Sequence, residues 1–133
     1  MDEATLEVVE RWLTRARQDL AAAETLLSGY PSNNPNCCFH VQQCVEKALK
    51  SFLAGRGEHL ENTHDLVRLL NICASLDNDF TNLYNAVEQL NEYAVTTRYP
   101  DDWREINDEE AAEAVDTAKS AFCFIEKRIA DLQ

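Results

Sequence analysis

The sequence predicts an all-α fold, an up-and-down antiparallel bundle of four to five helices. Two observations lead to this prediction: apolar residues recur every three to four positions through most of the chain, and its 133 residues include only three glycines and three prolines. Apolar residues with this spacing share one face of a helix, which neighbouring helices can then bury. No stretch alternates apolar and polar residues as a strand does, so we expect one helical domain over residues 1–133.

The first two predicted helices show the periodicity most clearly. Apolar residues step by three and four without a gap from Leu6 to Leu27, which places the first helix at about residues 3 to 28. The second is expected at about residues 36 to 54, where strong helix formers dominate the second half and Gly55 follows.

Three further helices follow in the second half of the chain. The third is expected to begin near Thr63, with Asn62 or Thr63 as its N-cap, and the fourth to lie between about residues 80 and 93. Asn107 and Glu110 have the N-cap to N3 spacing of a capping box, so the fifth helix should begin there.

Composition and charge exclude several classes of protein. The formal net charge of −12 repels phosphate backbones, which argues against direct nucleic-acid binding. No apolar run approaches the roughly 20 residues that a membrane span needs. The acidic N-terminus is unlike a secretory signal. We therefore expect a soluble, cytoplasmic protein without membrane contact.

The cysteines are predicted to be reduced packing residues, because the chain has an odd number of them, five, and no CxxC motif. Cys37, His40 and Cys44 have a spacing at which three soft ligands for zinc could be imagined. Since Cys44 falls within the apolar arc, we instead expect core cysteines beside a boundary histidine. We predict no bound metal, no cofactor and no catalytic residue, because no recognisable catalytic or phosphate-loop motif is present.

The polar side of the second helix provides one set of candidate site residues. Gln43, Glu46 and Lys50 follow Phe39 at steps of four, three and four, so they line up opposite the apolar face, with Gln42 beside them. Their amide, carboxylate and ammonium groups could bind a nucleotide or a peptide. Two other interpretations stay open: a dimer contact, which Phe39 favours, and a solvated face on which Glu46 and Lys50 form an i,i+4 pair.

The connection from Val95 to Ile106 provides the other candidates. It lacks helical periodicity and is about a dozen residues long, a length more often functional or disordered than incidental. Tyr99 and Trp103 favour an ordered crossing segment. Arg98 beside Tyr99 could hold a phosphate or carboxylate, or could instead pair with an acid on a neighbouring helix while Tyr99 plugs the end of the bundle.

Three sequence blocks resemble those of HEPN domains, named for higher eukaryotes and prokaryotes nucleotide-binding. The blocks read QQCVEKALKSFL from Gln42, THDL from Thr63 and TRYP from Thr97, in the family's order. The resemblance covers nearly the whole chain. It implies a helical bundle, usually a homodimer, that is often found with a small nucleotidyltransferase partner in toxin–antitoxin-like modules or as a nucleotide-binding accessory.

Many HEPN proteins are metal-independent ribonucleases with an Arg-x(4–6)-His pattern, and this chain departs from it. Arg56 lies two intervening residues before His59 and seven before His64, so it misses the spacing on both sides. A non-catalytic, dimeric, nucleotide-binding or partner-binding module with ligand residues Gln43, Glu46, Lys50, Arg98 and Tyr99 is therefore the prediction. A ribonuclease toxin with an altered active site is the alternative.

Overall fold

Two long antiparallel helices, α1 (Glu3–Ser28) and α2 (Asn34–Gly55), form the centre of the computed structural model, which describes residues 1–94 and 104–133. Their direction follows from the contacts between them. The Ser51 hydroxyl donates to the Val9 carbonyl at 3.0 Å, so the start of α1 lies beside the end of α2. Both helices begin and end within two residues of the predicted positions.

The remaining helices are α3 (Leu66–Leu76), α4 (Tyr84–Asn91) and α5 (Asp108–Ala130). Two short 3-10 segments, Asn78–Leu83 and Glu92–Ala94, precede and follow α4. The predicted all-α bundle is confirmed. The fourth predicted helix is the one that differs in detail, since only its middle is α-helical.

The order of the bundle departs from strict alternation at one place, because α3 runs in the same direction as α2. The Cys73 thiol lies 3.9 Å from the Leu49 carbonyl, and further along both helices the Arg56 guanidinium donates to the Leu76 carbonyl at 3.2 Å. The connection 56–65 therefore returns along the bundle before α3 begins. This return places the connection against the side of α2.

Helix α5 closes the bundle against both central helices. Arg17 pairs with Glu126 at 2.7 Å, and near the other end of α1 the carboxylate of Glu24 lies 3.6 Å from Lys119, so α5 is antiparallel to α1. Asn107 accepts a hydrogen bond from the Glu110 amide at 2.8 Å, as the capping-box spacing predicts. The predicted start of this helix is confirmed.

Most of the core lies along α2, which is packed against neighbours on several sides. Its buried apolar side chains meet those of the other helices, and the rings of Phe52 and Phe80 lie 4.4 Å apart between centroids. Such burial of large side chains supplies most of the free energy that holds a helical bundle together. The fully buried apolar residues of α2 are Cys37, Cys38, Val41, Cys44, Val45, Ala48, Leu49, Phe52 and Leu53.

The N-cap predicted for α3 is wrong. Asp65, rather than Asn62 or Thr63, accepts hydrogen bonds from the Val67 and Arg68 amides at 3.0 and 3.4 Å. The Thr63 hydroxyl instead accepts a hydrogen bond from the Asp65 amide at 3.1 Å, in the turn before the helix. A carboxylate is a strong cap, and here it also begins the helix two residues later than a cap at Thr63 would.

Four of the five cysteines are buried, as expected of packing residues, but Cys123 on α5 is exposed. The packing role predicted for Cys123 is therefore wrong: it lies on the solvent side of its helix. Burial raises the pKa of the Cys44 and Cys73 thiols to about 12, which keeps both protonated near neutral pH. The free thiols of the buried residues act as small apolar side chains.

None of the helices in the described part of the chain is both long and apolar enough to cross a membrane.

The identity of the α3 cap gives a stability prediction. Asp65→Ala removes the acceptor for two backbone amides, and we expect the free energy of unfolding to fall by about 1–2 kcal/mol. Asn62→Ala is the control, because Asn62 is exposed and a substitution there should stay within about 0.5 kcal/mol. Urea unfolding followed by circular dichroism measures both; a larger loss for Asn62→Ala than for Asp65→Ala would contradict the cap.

Candidate functional site

Two of the polar residues of α2 singled out by the sequence, Glu46 and Lys50, lie inside the chain, while Gln43 is partly exposed. Glu46 is 2% exposed and Lys50 is 6% exposed, although both are charged residue types. Charged groups are rarely buried unless they are paired, because losing water costs several kcal/mol. Their burial therefore requires partners, and these are found close by.

Glu46 is the centre of a group of contacts that we call the Glu46 cluster. One carboxylate oxygen accepts from the Lys50 ammonium at 3.1 Å, and the other lies 2.7 Å from Nδ1 of His64. Gln43 donates more weakly to Glu46 at 3.4 Å. The two oxygens of this carboxylate thus have three partners, which offset the loss of water.

Two further residues complete the Glu46 cluster. Gln42, which is fully buried, donates to the His64 carbonyl at 2.8 Å and accepts from the Gln43 amide at 2.9 Å. On the other side, the Lys50 ammonium lies 5.6 Å from the centre of the Trp12 ring of α1, within the range of a cation–π contact. Side chains from α1, α2 and the 56–65 connection are therefore joined here.

The structure distinguishes between the interpretations given above for the polar side of α2. The solvated face is excluded, since Glu46 and Lys50 are buried within the chain, although the predicted i,i+4 pair between them is present. The ring of His64 does not bond locally near the start of α3 but contacts Glu46, a residue 18 positions away. Phe39 is half-buried and packs edge-on against His40, with 5.7 Å between ring centroids.

A second buried carboxylate, which belongs to α1, contacts two side chains of α2. Asp19 of α1 contacts Nδ1 of His40 at 2.9 Å and the Lys47 ammonium at 2.6 Å, and we call these three residues the Asp19 cluster. Together with Gln43, the partly exposed His40 and Lys47 form the outer edge of α2. This edge is polar and is held in place by buried acids.

A third cluster lies where the described chain resumes after residue 103. Arg104 donates through both terminal nitrogens to the Glu110 carboxylate, at 2.8 and 2.7 Å. It also donates to Glu92 at 2.9 Å, and the Tyr93 hydroxyl donates to Glu110. The bonds from Arg104 and Tyr93 hold the pKa of the Glu110 carboxyl below its ordinary value. Burial, together with the bond to Glu110, raises the pKa of Tyr93.

Small cavities lie beside this cluster and at the start of α2. One of about 230 Å³ is bordered by Tyr93, Glu110 and Glu113, and another of about 370 Å³ by Asn34 and Asp108. Asn34 is buried and donates to the Asp108 carboxylate at 2.8 Å. Both cavities are smaller than, or at the lower end of, those that bind drug-sized ligands.

The candidate residues of the long connection, Arg98 and Tyr99, lie outside the described residues, as does Trp103. The ligand roles of these residues stay predictions. The three residues considered as zinc ligands are not arranged as a metal site. Cys37 and Cys44 are fully buried, and His40 contacts Asp19. Over residues 1–94 and 104–133, no group of three or more histidine, cysteine or acidic side chains could hold a metal ion.

The arginine and histidines nearest to the ribonuclease spacing make other contacts. Arg56 donates to the Leu76 carbonyl and lies over the Phe52 ring, 5.9 Å from its centre. His64 contacts Glu46 instead. In the described part of the chain, Arg56 and His64 therefore do not form an arginine–histidine pair with each other.

Sequence reasoning missed Asp19, Trp12 and the Arg104–Glu110 pair. Asp19 had a weak signal, since it lies directly beside the apolar stripe of α1, between Ala16 and Leu20. A charged residue at that position is either snorkelling or paired. For Arg104 the sequence offers no sign of which of the nearby acids would be its partner.

Comparisons with known proteins place the chain in a family. A model of the HEPN domain matches residues 9–128. "Putative toxin MJ1304" of Methanocaldococcus jannaschii is 30% identical over 102 residues. That alignment covers 72% of this chain and 66% of the relative, so the chain spans slightly less than two thirds of the relative's length.

Two crystal structures have the same fold. ST0689, described as an archaeal HEPN homologue, superposes with a TM-score of 0.72 at 27% identity, over 91% of this chain and 97% of that one. TT1696 from Thermus thermophilus superposes with a TM-score of 0.73 at 30% identity, over 90% and 96% of the two chains. The helical arrangement is therefore shared over almost the full length of both proteins.

The Glu46 cluster gives a second stability prediction. Lys50→Met keeps most of the side-chain volume but leaves the buried Glu46 carboxylate with His64 and Gln43 alone, so we expect a loss of about 2–4 kcal/mol in the free energy of unfolding. Lys119→Met is the control, because the Lys119–Glu24 pair is about half exposed and should contribute less than about 1 kcal/mol. Equal losses in urea unfolding would contradict the burial of Lys50.

The Arg104–Glu110 contact gives a prediction on pH. A carboxyl with a depressed folded-state pKa stabilises the fold above its unfolded value of 4.5, and that contribution is lost as the pH falls through the lower, folded-state value. Glu110→Gln should therefore be less stable than the unmodified chain near neutral pH, by less than about 1 kcal/mol because the pair is partly exposed.

The urea midpoints of Glu110→Gln and the unmodified chain should approach each other as the pH falls below 4.5 and through the lower, folded-state pKa of Glu110, because the carboxyl then becomes protonated in both states. Glu113→Gln, an exposed position on the same helix, is the control and should change the midpoint little. A difference for Glu110→Gln that persists or grows on acidification would contradict the pairing.

Proposed function

This chain belongs to the HEPN domain family, and we propose that within it the protein is a non-catalytic module that forms a homodimer and binds a partner protein. The partner proposed is a small nucleotidyltransferase, in a toxin–antitoxin-like system. The observation that supports this most is the outer edge of α2, where His40, Gln43 and Lys47 are only partly exposed and two buried carboxylates hold that edge in place. A rigid polar edge is suited to protein recognition, because little side-chain entropy is lost on binding.

The aromatic residues beside this edge support a protein contact as well. Phe39 and Trp12 are both half-buried on the same side of the α1–α2 pair, next to His40 and Lys50 respectively. Aromatic side chains flanked by polar ones are common at the centre of protein interfaces. The relative from Methanocaldococcus jannaschii that is named as a toxin supports the proposed kind of system.

Binding without catalysis is favoured by the contacts of the candidate catalytic residues. The chain has three histidines, and two of them, His40 and His64, contact buried carboxylates rather than an arginine. The net charge of −12 adds a field that opposes the approach of RNA. Both observations argue against the ribonuclease alternative.

Nucleotide contact is proposed at Gln43, Glu46, Lys50, Arg98 and Tyr99. For Lys50 this contact has a physical cost, since its ammonium is 3.1 Å from Glu46 and its side chain is 7% exposed. A phosphate would have to displace Glu46 from the ammonium. Gln43, which is more exposed, could contact a ligand without such an exchange.

The dimer is tested by light scattering on purified protein. We expect twice the chain mass of 15.1 kDa for the unmodified protein and a monomer for Phe39→Asp, because a charge would enter the proposed contact. Tyr30→Asp is the matched aromatic control, since Tyr30 is fully exposed between α1 and α2, and it should stay dimeric. A monomeric unmodified protein, or a dimeric Phe39→Asp, would argue against this face.

Two further assays on the same preparation test the rest of the proposal. Titration calorimetry with ATP should give heat that Arg98→Ala abolishes, while the control Arg11→Ala, on the exposed side of α1, keeps it. Total RNA incubated without metal should stay intact. Cleavage that Arg98→Ala removes would establish the ribonuclease alternative instead.

A further inference from the structure

One exposed histidine is held in place from two directions by buried side chains of α2. The carbonyl of His64 accepts a hydrogen bond from Gln42 at 2.8 Å, which fixes the backbone, and the ring nitrogen Nδ1 lies 2.7 Å from Glu46, which fixes the ring. The side chain of His64 is nevertheless 63% exposed, against 3% for Glu46. A buried carboxylate thus orients an imidazole that faces solvent.

The contact with Glu46 decides which ring nitrogen carries the proton. An ionised carboxylate has no proton to donate, so Nδ1 of His64 must donate to Glu46, as Lys50 and Gln43 also do. In the neutral ring the lone pair then lies on Nε2. No hydrogen bond to Nε2 is found within residues 1–94 and 104–133, so this nitrogen is available.

Stability alone does not account for this charged arrangement. Burying Glu46 and Lys50 costs several kcal/mol per charge, and well-packed apolar residues at such positions are often neutral or stabilising. What Glu46 supplies is a carboxylate, held in place by Lys50, against one edge of the His64 ring. A carboxylate in this position stabilises the positive charge that a histidine acquires when Nε2 takes a proton or bonds to an electrophile.

We propose that His64 is a nucleophilic histidine that accepts a phosphoryl group on Nε2 from a small activated phosphate, such as an acyl phosphate or a phosphoramidate. The Nε2 lone pair forms the nitrogen–phosphorus bond while the bond from phosphorus to the leaving group breaks. That group departs with its electron pair, as a carboxylate or as ammonia. The positive charge left on the ring is held by Glu46 through the Nδ1 proton. The step does not depend on the proposed dimer or partner.

The neighbouring groups favour a phosphoryl group over an acyl group. A phosphoryl group on Nε2 leaves the positively charged ring between two anions, the Glu46 carboxylate at Nδ1 and the phosphoryl oxygens, whereas an acyl group adds no second anion. His64 is therefore a modification site of the phosphohistidine type.

The chain contains two internal controls for this proposal, since it has three histidines. His59 lies five residues earlier in the same connection and is exposed, with no carboxylate at hydrogen-bond distance from its ring in the described part of the chain. His40 contacts the Asp19 carboxylate, but its side chain is only 34% exposed. His64 alone among the three combines a bound carboxylate with high exposure.

The test uses the intact protein and phosphoramidate as the phosphate donor, with the modified histidines located by mass spectrometry. We expect His64 to be phosphorylated faster than His59, on the order of tenfold, the lower end of the effect of removing the carboxylate partner of a metal-binding histidine. Phosphorus NMR should place the group on Nε2. Glu46→Gln, which keeps the shape, should slow His64 to the rate of His59.

The rates within the unmodified chain decide the matter even where Glu46→Gln does not fold. The proposal is overturned if His59 or His40 reacts as fast as His64, if the group is found on Nδ1, or if none of the three histidines is modified. It is equally overturned if folded Glu46→Gln keeps the full rate at His64. Loss of the dimer or of the partner in the assays above leaves these expected rates unchanged.

Discussion

The carboxylate of Glu46 is buried at the middle of α2 and therefore requires hydrogen-bond donors around it. Glu46 cannot stay ionised out of water without donors, and the protein provides them from three directions: one turn ahead on the same helix, one turn behind, and from the connection that returns beside α2. The contact with His64 ties that connection to the helix. The direction of α3 follows, because α3 begins where the connection is fastened.

The same constraint explains why the two sides of α2 differ. One side is filled by apolar residues that pack against the other helices, and almost any well-shaped apolar set would stabilise it. The other side is occupied by acids that each hold two basic partners, Asp19 with His40 and Lys47, and Glu46 with Lys50 and His64. Such contacts are directional, so they fix the position of α1 and of the 56–65 connection more narrowly than apolar packing alone.

Helix positions were predictable from the sequence because each depends on one segment at a time. The steps from Leu6 to Leu27 and the capping spacing of Asn107 and Glu110 are local properties, and the structure agrees with both. The surroundings of Glu46 were not predictable in the same way. A single helix shows which side chains leave its apolar face, but it does not show that Trp12 and His64 cover them.

The predicted site residues illustrate this limit. Gln43, Glu46 and Lys50 were correctly grouped, since the spacing of a helix decides which side chains are neighbours. Whether these three side chains face solvent, a ligand or the rest of the chain depends on the path of the 56–65 connection, which packs against α2. The sequence of that connection has no helical periodicity from which its path could be predicted. The α3 cap failed for a related reason: Asn62, Thr63 and Asp65 are all good caps, and tertiary contacts select Asp65.

The burial of Lys50 against Glu46 can be measured directly by lysine labelling. Acetylation of the folded protein with an N-hydroxysuccinimide ester, followed over time by mass spectrometry, compares Lys50, whose side chain is 7% exposed, with Lys119, which is 49% exposed. The buried arrangement predicts that Lys119 is modified early and Lys50 only when the protein unfolds. Modification of Lys50 as fast as Lys119 in the folded protein would contradict it.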